Sequence, residues 1–158
     1  MREIGTAGDV LDIAIQLERT GRRLYETLAK SSKDTRIWDA YTYLADQEGA
    51  HERVFISLSD RIGANLPSEL SPDRQEMIQG MVEATLLGDK YEGALREEAR
   101  SDADALKIGI RFEEDSINLY TQLREFVQEP DRDTVDRVIE EERQHLRLLT
   151  DILKDTGI

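Results

Sequence analysis

The chain has two histidines among its 158 residues, and each stands three positions after a glutamate, as Glu48-x-x-His51 and Glu142-x-x-His145. On a helix, residues three apart are neighbours on one surface, so each pair presents a carboxylate and an imidazole to the same region of space. Two further glutamates share a signature of their own: Glu18 and Glu113 are each followed seven residues later by a tyrosine, Tyr25 and Tyr120. Seven residues is nearly two helical turns, which puts glutamate and tyrosine on one face about 10 Å apart along the axis. Glu18 lies in line with Leu11, Ile15 and Tyr25, and Glu113 with Leu106, Ile110 and Tyr120, so both carboxylates run along apolar stripes. Four carboxylates converging in an apolar interior repel one another and hold their protons well above the ordinary range unless cations neutralise them. Two divalent metal ions would supply the four missing charges. Carboxylate and imidazole together suit iron or manganese, with zinc compatible, whereas magnesium and calcium favour all-oxygen sites.

The elements that must position these groups read as long helices. Val10, Ala14, Leu17, Gly21, Leu24 and Leu28 alternate steps of four and three, which predicts helix A over about 8–31. Asp34 is a suitable N-cap for helix B, whose apolar set of Trp38, Tyr41, Ala45, Phe55 and Leu58 runs until Gly63 and Pro67. Trp38 is expected as a core or interface anchor. The stretch GANLPSELSPD reads as a loop, followed by short helical pieces around 73–87, with Met77, Met81 and Leu86, and around 91–99. Ser101 or Asp102 can cap helix C, expected to reach about 128, and the turn at Pro130 leads into helix D over about 132–155. The expected fold is therefore all-α: one domain of two antiparallel hairpins, 8–62 and 102–155, joined by a long crossover at 63–101.

The hairpins are related by an internal repeat. Residues 10–28 laid over 105–123 without a gap match at Leu11/Leu106, Ile13/Ile108, Ile15/Ile110, Glu18/Glu113, Leu24/Leu119, Tyr25/Tyr120 and Leu28/Leu123. With one residue less offset, Glu48, His51 and Arg53 fall on Glu142, His145 and Arg147. The repeat makes the two Glu-x-x-His motifs equivalent positions rather than separate coincidences. Counting from each helix end, Glu18 and Glu48 sit at similar depths in the first hairpin, as Glu113 and Glu142 do more loosely in the second. The neighbouring acids Glu140 and Glu141 are expected on the solvated face.

Composition narrows the function. With 21 Lys and Arg against 34 Asp and Glu, the formal charge is −13, which disfavours nucleic acid or an anionic membrane as partner. The absence of cysteine removes disulfides, thiol catalysis and iron–sulfur ligation together. The first ten residues lack the apolar core of a secretory signal, and no run of 18 apolar residues occurs, so a soluble, cytoplasmic protein is expected.

The order and spacing of the six candidate ligands resemble those of the ferritin-like di-iron carboxylate proteins, and within them the rubrerythrin group: one Glu from each of two helices and Glu-x-x-His from each of the other two. The resemblance covers helices A to D, about two thirds of the chain. It implies a ferritin-like four-helix bundle binding two iron ions, manganese or a mixed pair being compatible with the same donors. It further implies Glu48 and Glu142 as bridging ligands, Glu18 and Glu113 as terminal ligands, His51 and His145 on one metal each, and Tyr25 and Tyr120 as donors that hold carboxylates in place. The implied activity is reduction of hydrogen peroxide or oxygen. Iron oxidation and handling is the first alternative, and a structural metal site in a helical interaction module the second. The four-cysteine iron domain of full-length rubrerythrins has no counterpart here, so electrons are expected from an external donor, and relatives suggest a homodimer. Where rubrerythrins tend to place a further carboxylate three residues after the helix C glutamate, this chain has Ser116. Gly49 stands where bacterioferritins carry their haem-binding methionine, so no haem is expected.

Overall fold

The computed structural model describes residues 5–85 and 90–156. Six α-helices occur in them: α1 (Ala7–Ser31), α2 (Thr35–Ile62), α3 (Pro72–Thr85), α4 (Lys90–Glu97), α5 (Asp102–Arg124) and α6 (Asp131–Asp155), with a single 3-10 turn at Gly63–Asn65. Three of the four long helices begin at side-chain caps. Thr6 and Asp9 form a capping box on α1, Asp34 accepts from the amides of Arg36 and Ile37, and Ser101 accepts from that of Asp104. Helix α6 instead starts at Pro130, which carries no side-chain cap. Of the sequence-expected positions, Leu86 lies outside the described residues.

Helix α1 packs along α2 and α5 along α6, and the two hairpins close face to face through α1 with α5 and α2 with α6. The result is a four-helix bundle, as the sequence predicts. The identities of the repeat fill its interior: Leu11, Ile13, Leu24, Tyr25 and Leu28, together with Leu106, Ile108, Leu119, Tyr120 and Leu123, are all buried. Ile15 and Ile110 are only partly buried. Close approach of α1 to α5 depends on Gly21, where a Cβ would lie 2.3 Å from Cζ of Phe112. Hence the phenyl ring occupies the space that a side chain at 21 would need.

The crossover lies along the bundle. Backbone bonds from Ala7 to Pro67 and from Leu70 to Gly5 tie it to the start of α1, while Ile78 and Val82 of α3 are buried. Helix α4 is held on α5 by Asp115, which accepts from Tyr91 Oη at 2.6 Å and from Lys90 Nζ at 3.0 Å.

Two expectations need correction. Helix α5 ends at Arg124 rather than near 128, because the backbone there turns to i→i+3 bonding through Glu125 and Phe126 while Val127 still enters the core. Of the two places expected for Trp38, core or interface, the core is ruled out: it is 47% exposed, since Ile37, Ala40, Tyr41 and Leu44 occupy the inward face of α2. Met77 is likewise exposed, the inward positions of α3 going to Ile78 and Val82.

Candidate metal centre

Each of the four long helices delivers part of one buried cluster. Helix α1 brings Glu18, α2 brings Glu48 and His51, α5 brings Glu113, and α6 brings Glu142 and His145; the carboxylates are fully buried and the imidazoles 2% exposed. All six sequence-expected donors come together. They form two overlapping groups, Glu18, Glu48, His51 and Glu142, and Glu48, Glu113, Glu142 and His145, with the donor atoms of each within 4.8 Å of one another. Glu48 and Glu142 belong to both groups, the place a bridging carboxylate would take.

The two imidazoles stack at 5.6 Å between centroids and 20° between planes, and each aims Nδ1 at the carboxylates. His51 Nδ1 lies 2.5 Å from Glu142 Oε1 and 3.6 Å from Glu18 Oε1. His145 Nδ1 is 3.3 Å from Glu48 Oε1, 3.6 Å from Glu142 Oε2 and 3.7 Å from Glu113 Oε1. Tyrosines fix the outer carboxylates across the bundle: Tyr120 Oη donates to Glu18 Oε1 and Tyr25 Oη to Glu113 Oε1, both at 2.6 Å. Sequence spacing places each tyrosine on the same face as the glutamate of its own helix, whereas the bond goes to the glutamate of the other hairpin. Helices α1 and α5 run antiparallel, Gly21 facing Phe112 and Tyr25 reaching Gly109, so the crossed pairing is the one within reach.

Glu141 was missed at the sequence level. Placed on the solvated face by its acidic neighbours, it is instead partly buried, and its Oε2 lies 2.6 Å from His51 Nε2. A carboxylate on the outer ring nitrogen fixes the tautomer that leaves Nδ1 free for a ligand role. The signal available in the sequence was position alone, one residue before Glu142, and it means little until the spacing of α2 and α6 is known. Ser116 is buried beside the cluster, with its hydroxyl bonded at 2.9 Å to the Phe112 carbonyl of its own helix.

The electrostatics of the bare cluster are severe. Burial, then the neighbouring carboxylates with Glu142 foremost, pushes Glu18, Glu48 and Glu113 well above the usual carboxylate range. Burial acts the same way on Glu142, but the neighbouring Glu113 carboxyl and the His145 and His51 imidazoles outweigh it and hold that carboxyl below its ordinary value. Burial lowers the two imidazoles, yet their carboxylate partners prevail and raise His51 to about 9 and His145 to about 12. Burial likewise raises the Tyr25 and Tyr120 hydroxyls, which therefore remain protonated donors.

The donor set also leaves lone pairs unused. Glu18 Oε2, both oxygens of Glu48, Glu113 Oε2, Glu142 Oε2 and His145 Nδ1 are buried without a hydrogen-bond partner. Buried polar atoms are nearly always paired, so six orphans converging on one point mark a place built for something else to complete. Carboxylate oxygens and imidazole nitrogens in that number fit a pair of transition-metal ions.

Bundle and cluster together define a ferritin-like protein with a buried carboxylate–histidine centre. Residues 9–153 match the family described as Rubrerythrin, and the chain belongs to that family. Among solved structures it is similar to one from Thermotoga maritima assigned provisionally to the ferritin-like diiron-carboxylate proteins, with 27% identity, 99% of each chain covered and a TM-score of 0.73. None of the curated proteins is similar enough to this chain to match it.

Proposed function

We propose that the chain is a non-haem di-iron redox protein that reduces hydrogen peroxide or oxygen with electrons from an external donor. The carrying observation is the set of six buried, orphaned donor atoms shared between two overlapping groups. Glu48 and Glu142 would bridge the ions, Glu18 and His51 would complete one side, and Glu113 and His145 the other. When bound, two ferrous ions side by side supply the two electrons that cleavage of a peroxide O–O bond requires. The chain's own residues hold that arrangement. Tyr120 and Tyr25 keep Glu18 and Glu113 oriented, Glu141 sets the tautomer of His51, and the packed interior keeps bulk water away from the carboxylates. In this reading the electrons for re-reduction come from a separate donor molecule. A homodimer in solution completes the proposal. Manganese or a mixed pair would occupy the same donors.

Ser116 favours a second reading, iron oxidation and onward transfer. Its hydroxyl is turned to its own helix and offers the centre no fifth carboxylate. One experiment separates the readings: anaerobic loading with Fe(II), then repeated additions of peroxide or air with visible absorption and bound iron followed together. Two irons per chain that oxidise, stay bound and can be re-reduced support the peroxidase reading. Oxidised iron that leaves while further Fe(II) is consumed supports iron handling. Less than one metal per chain and no turnover would leave a structural module instead.

A further inference from the structure

Trp38, the chain's single tryptophan, stands on α2 with nearly half of its surface in solvent. Ile56 follows 18 residues later on the same helix, which is five full turns, so the two side chains project along one line about 27 Å apart. The residues between them show what that line borders. Glu52 pairs with Arg19 and Arg22 of α1, and a Cβ at Gly49 would lie 3.6 Å from Arg22 Cδ. Trp38 and Ile56 therefore mark the two ends of the outer groove between α1 and α2. At the Ile56 end the groove opens into a shallow hollow of about 320 Å3, lined by Ile56, Ile15, Arg19, Gln16 and Asp12. The crossover helices α3 and α4 pack on α5, and Arg19 and Arg22 remain half-exposed.

A knob at one end of a face and a hollow at the other can be satisfied twice over by a two-fold axis. An axis through the midpoint of the line passes between Ala45 and Gly49, where α2 carries its smallest side chains, and brings each Trp38 onto the hollow of a second copy. The charges obey the same rotation. Arg19, Arg22 and Arg53 gather on the Ile56 half, whereas Glu26, Asp39 and Asp46 lie on the Trp38 half, so unlike charges meet across the axis. Asp12, on the rim of the hollow, comes opposite Lys33 beside Trp38. Lys30, brought near Arg53, opposes them.

We propose that the outer face of α1 and α2 is a homodimer interface, isologous about an axis between Ala45 and Gly49, with Trp38 of each copy seated in the Ile15–Ile56 hollow of the other. Tryptophan and arginine are the side chains that most often anchor protein interfaces. In the hollow the indole meets two aliphatic side chains and the Arg19 guanidinium, which favours an aromatic face. The inference rests on the homodimer part of the function proposed above and on none of its redox part.

The test is analytical ultracentrifugation of the full chain as purified, with Trp38 emission recorded over the same range of dilution. A dimer is expected, and its dissociation should move the emission to longer wavelength. Trp38→Ala should raise the dimer dissociation constant by about thirtyfold or more, the loss of one interface anchor. Ile56→Asp is the decisive variant. Within one chain Ile56 is about 27 Å from Trp38, so a red-shifted emission, at a concentration where the unaltered chain is dimeric, reports a contact between copies. Retained helical circular dichroism separates lost association from lost folding. Glu26 is exposed, so Glu26→Arg tests the same rotation without touching the core, and it should weaken the dimer by setting arginines against one another. A dimer whose emission ignores Ile56→Asp, or whose dissociation constant ignores Trp38→Ala and Glu26→Arg, overturns this interface and leaves a homodimer through another face. A monomer at every concentration overturns the interface and the homodimer together.

Discussion

At the scale of single residues, the crossed tyrosines make the centre's two halves separable. Tyr120 holds Glu18, which shares its group with His51, and Tyr25 holds Glu113, which shares its group with His145. Removing one hydroxyl frees one outer carboxylate and leaves the ring packed in the core. Loss of such an outer partner typically costs about 10–100-fold in metal affinity. Tyr120→Phe should therefore weaken one of two binding steps and Tyr25→Phe the other, read by chelator competition with the two ions followed stepwise; both steps shifting equally in each variant would contradict the crossed assignment. The composition of the cluster was legible from the sequence, since Glu-x-x-His twice and Glu-x6-Tyr twice are local spacings on helices. The partners were not, because Tyr25 to Glu113 and Glu141 to His51 are set by the direction and separation of neighbouring helices, which no spacing within one helix encodes.

Among elements, the two hairpins are near copies, yet they meet asymmetrically at Gly21 and Phe112. In the repeat, Gly21 corresponds to Ser116 and Phe112 to Leu17. The first half thus yields the space at 21 that the second half fills with a phenyl ring. A Cβ at 21 meets two ring atoms, at 2.3 and 2.6 Å, so Phe112 or the helix axis must shift. Gly21→Ala would ordinarily gain helix propensity, about 1 kcal/mol. Overpacking of a dense core costs roughly 1–3 kcal/mol, and here it should prevail. Chemical denaturation should show a net loss for Gly21→Ala, with recovery when Phe112→Leu restores the smaller residue of the repeat. Gly21 stood out in sequence as a small residue on the apolar stripe, but what it makes room for required both hairpins in place. The end of α5 was misjudged for a related reason: the apolar pattern continues through Val127 although the helical bonding does not, because a residue can enter the core from a turn. Trp38 shows the converse, an apolar residue in helical register at the edge of a face already filled by Ile37 and Tyr41.

For the whole molecule, the cluster makes stability, pH and metal content interdependent. Glu18, Glu48 and Glu113 have folded values raised above their ordinary 4.5, so their contribution is fully present below that pH and is lost as pH rises through the folded values. His51 and His145, raised from 6.5 to about 9 and about 12, act in the same direction over a higher range. Glu142 alone is lowered, and its contribution is lost only in acid. With five groups opposing one, the metal-free protein should lose stability steadily between about pH 6 and pH 8. Metal ligands bind in their deprotonated form, so each ion expels protons and its affinity rises over the same interval. The two trends diverge. An ion at a hundred times its dissociation constant adds about 2.7 kcal/mol. At this chain length, that corresponds to a thermal midpoint higher by roughly 5–10 °C. Calorimetry of metal-free and Fe(II)-loaded protein under anaerobic conditions should show a gap in midpoint that widens as pH rises. A gap that is constant with pH would mean that metal binding does not displace the protons this cluster holds, and that the ions bind somewhere other than at Glu18, Glu48, Glu113 and the two imidazoles.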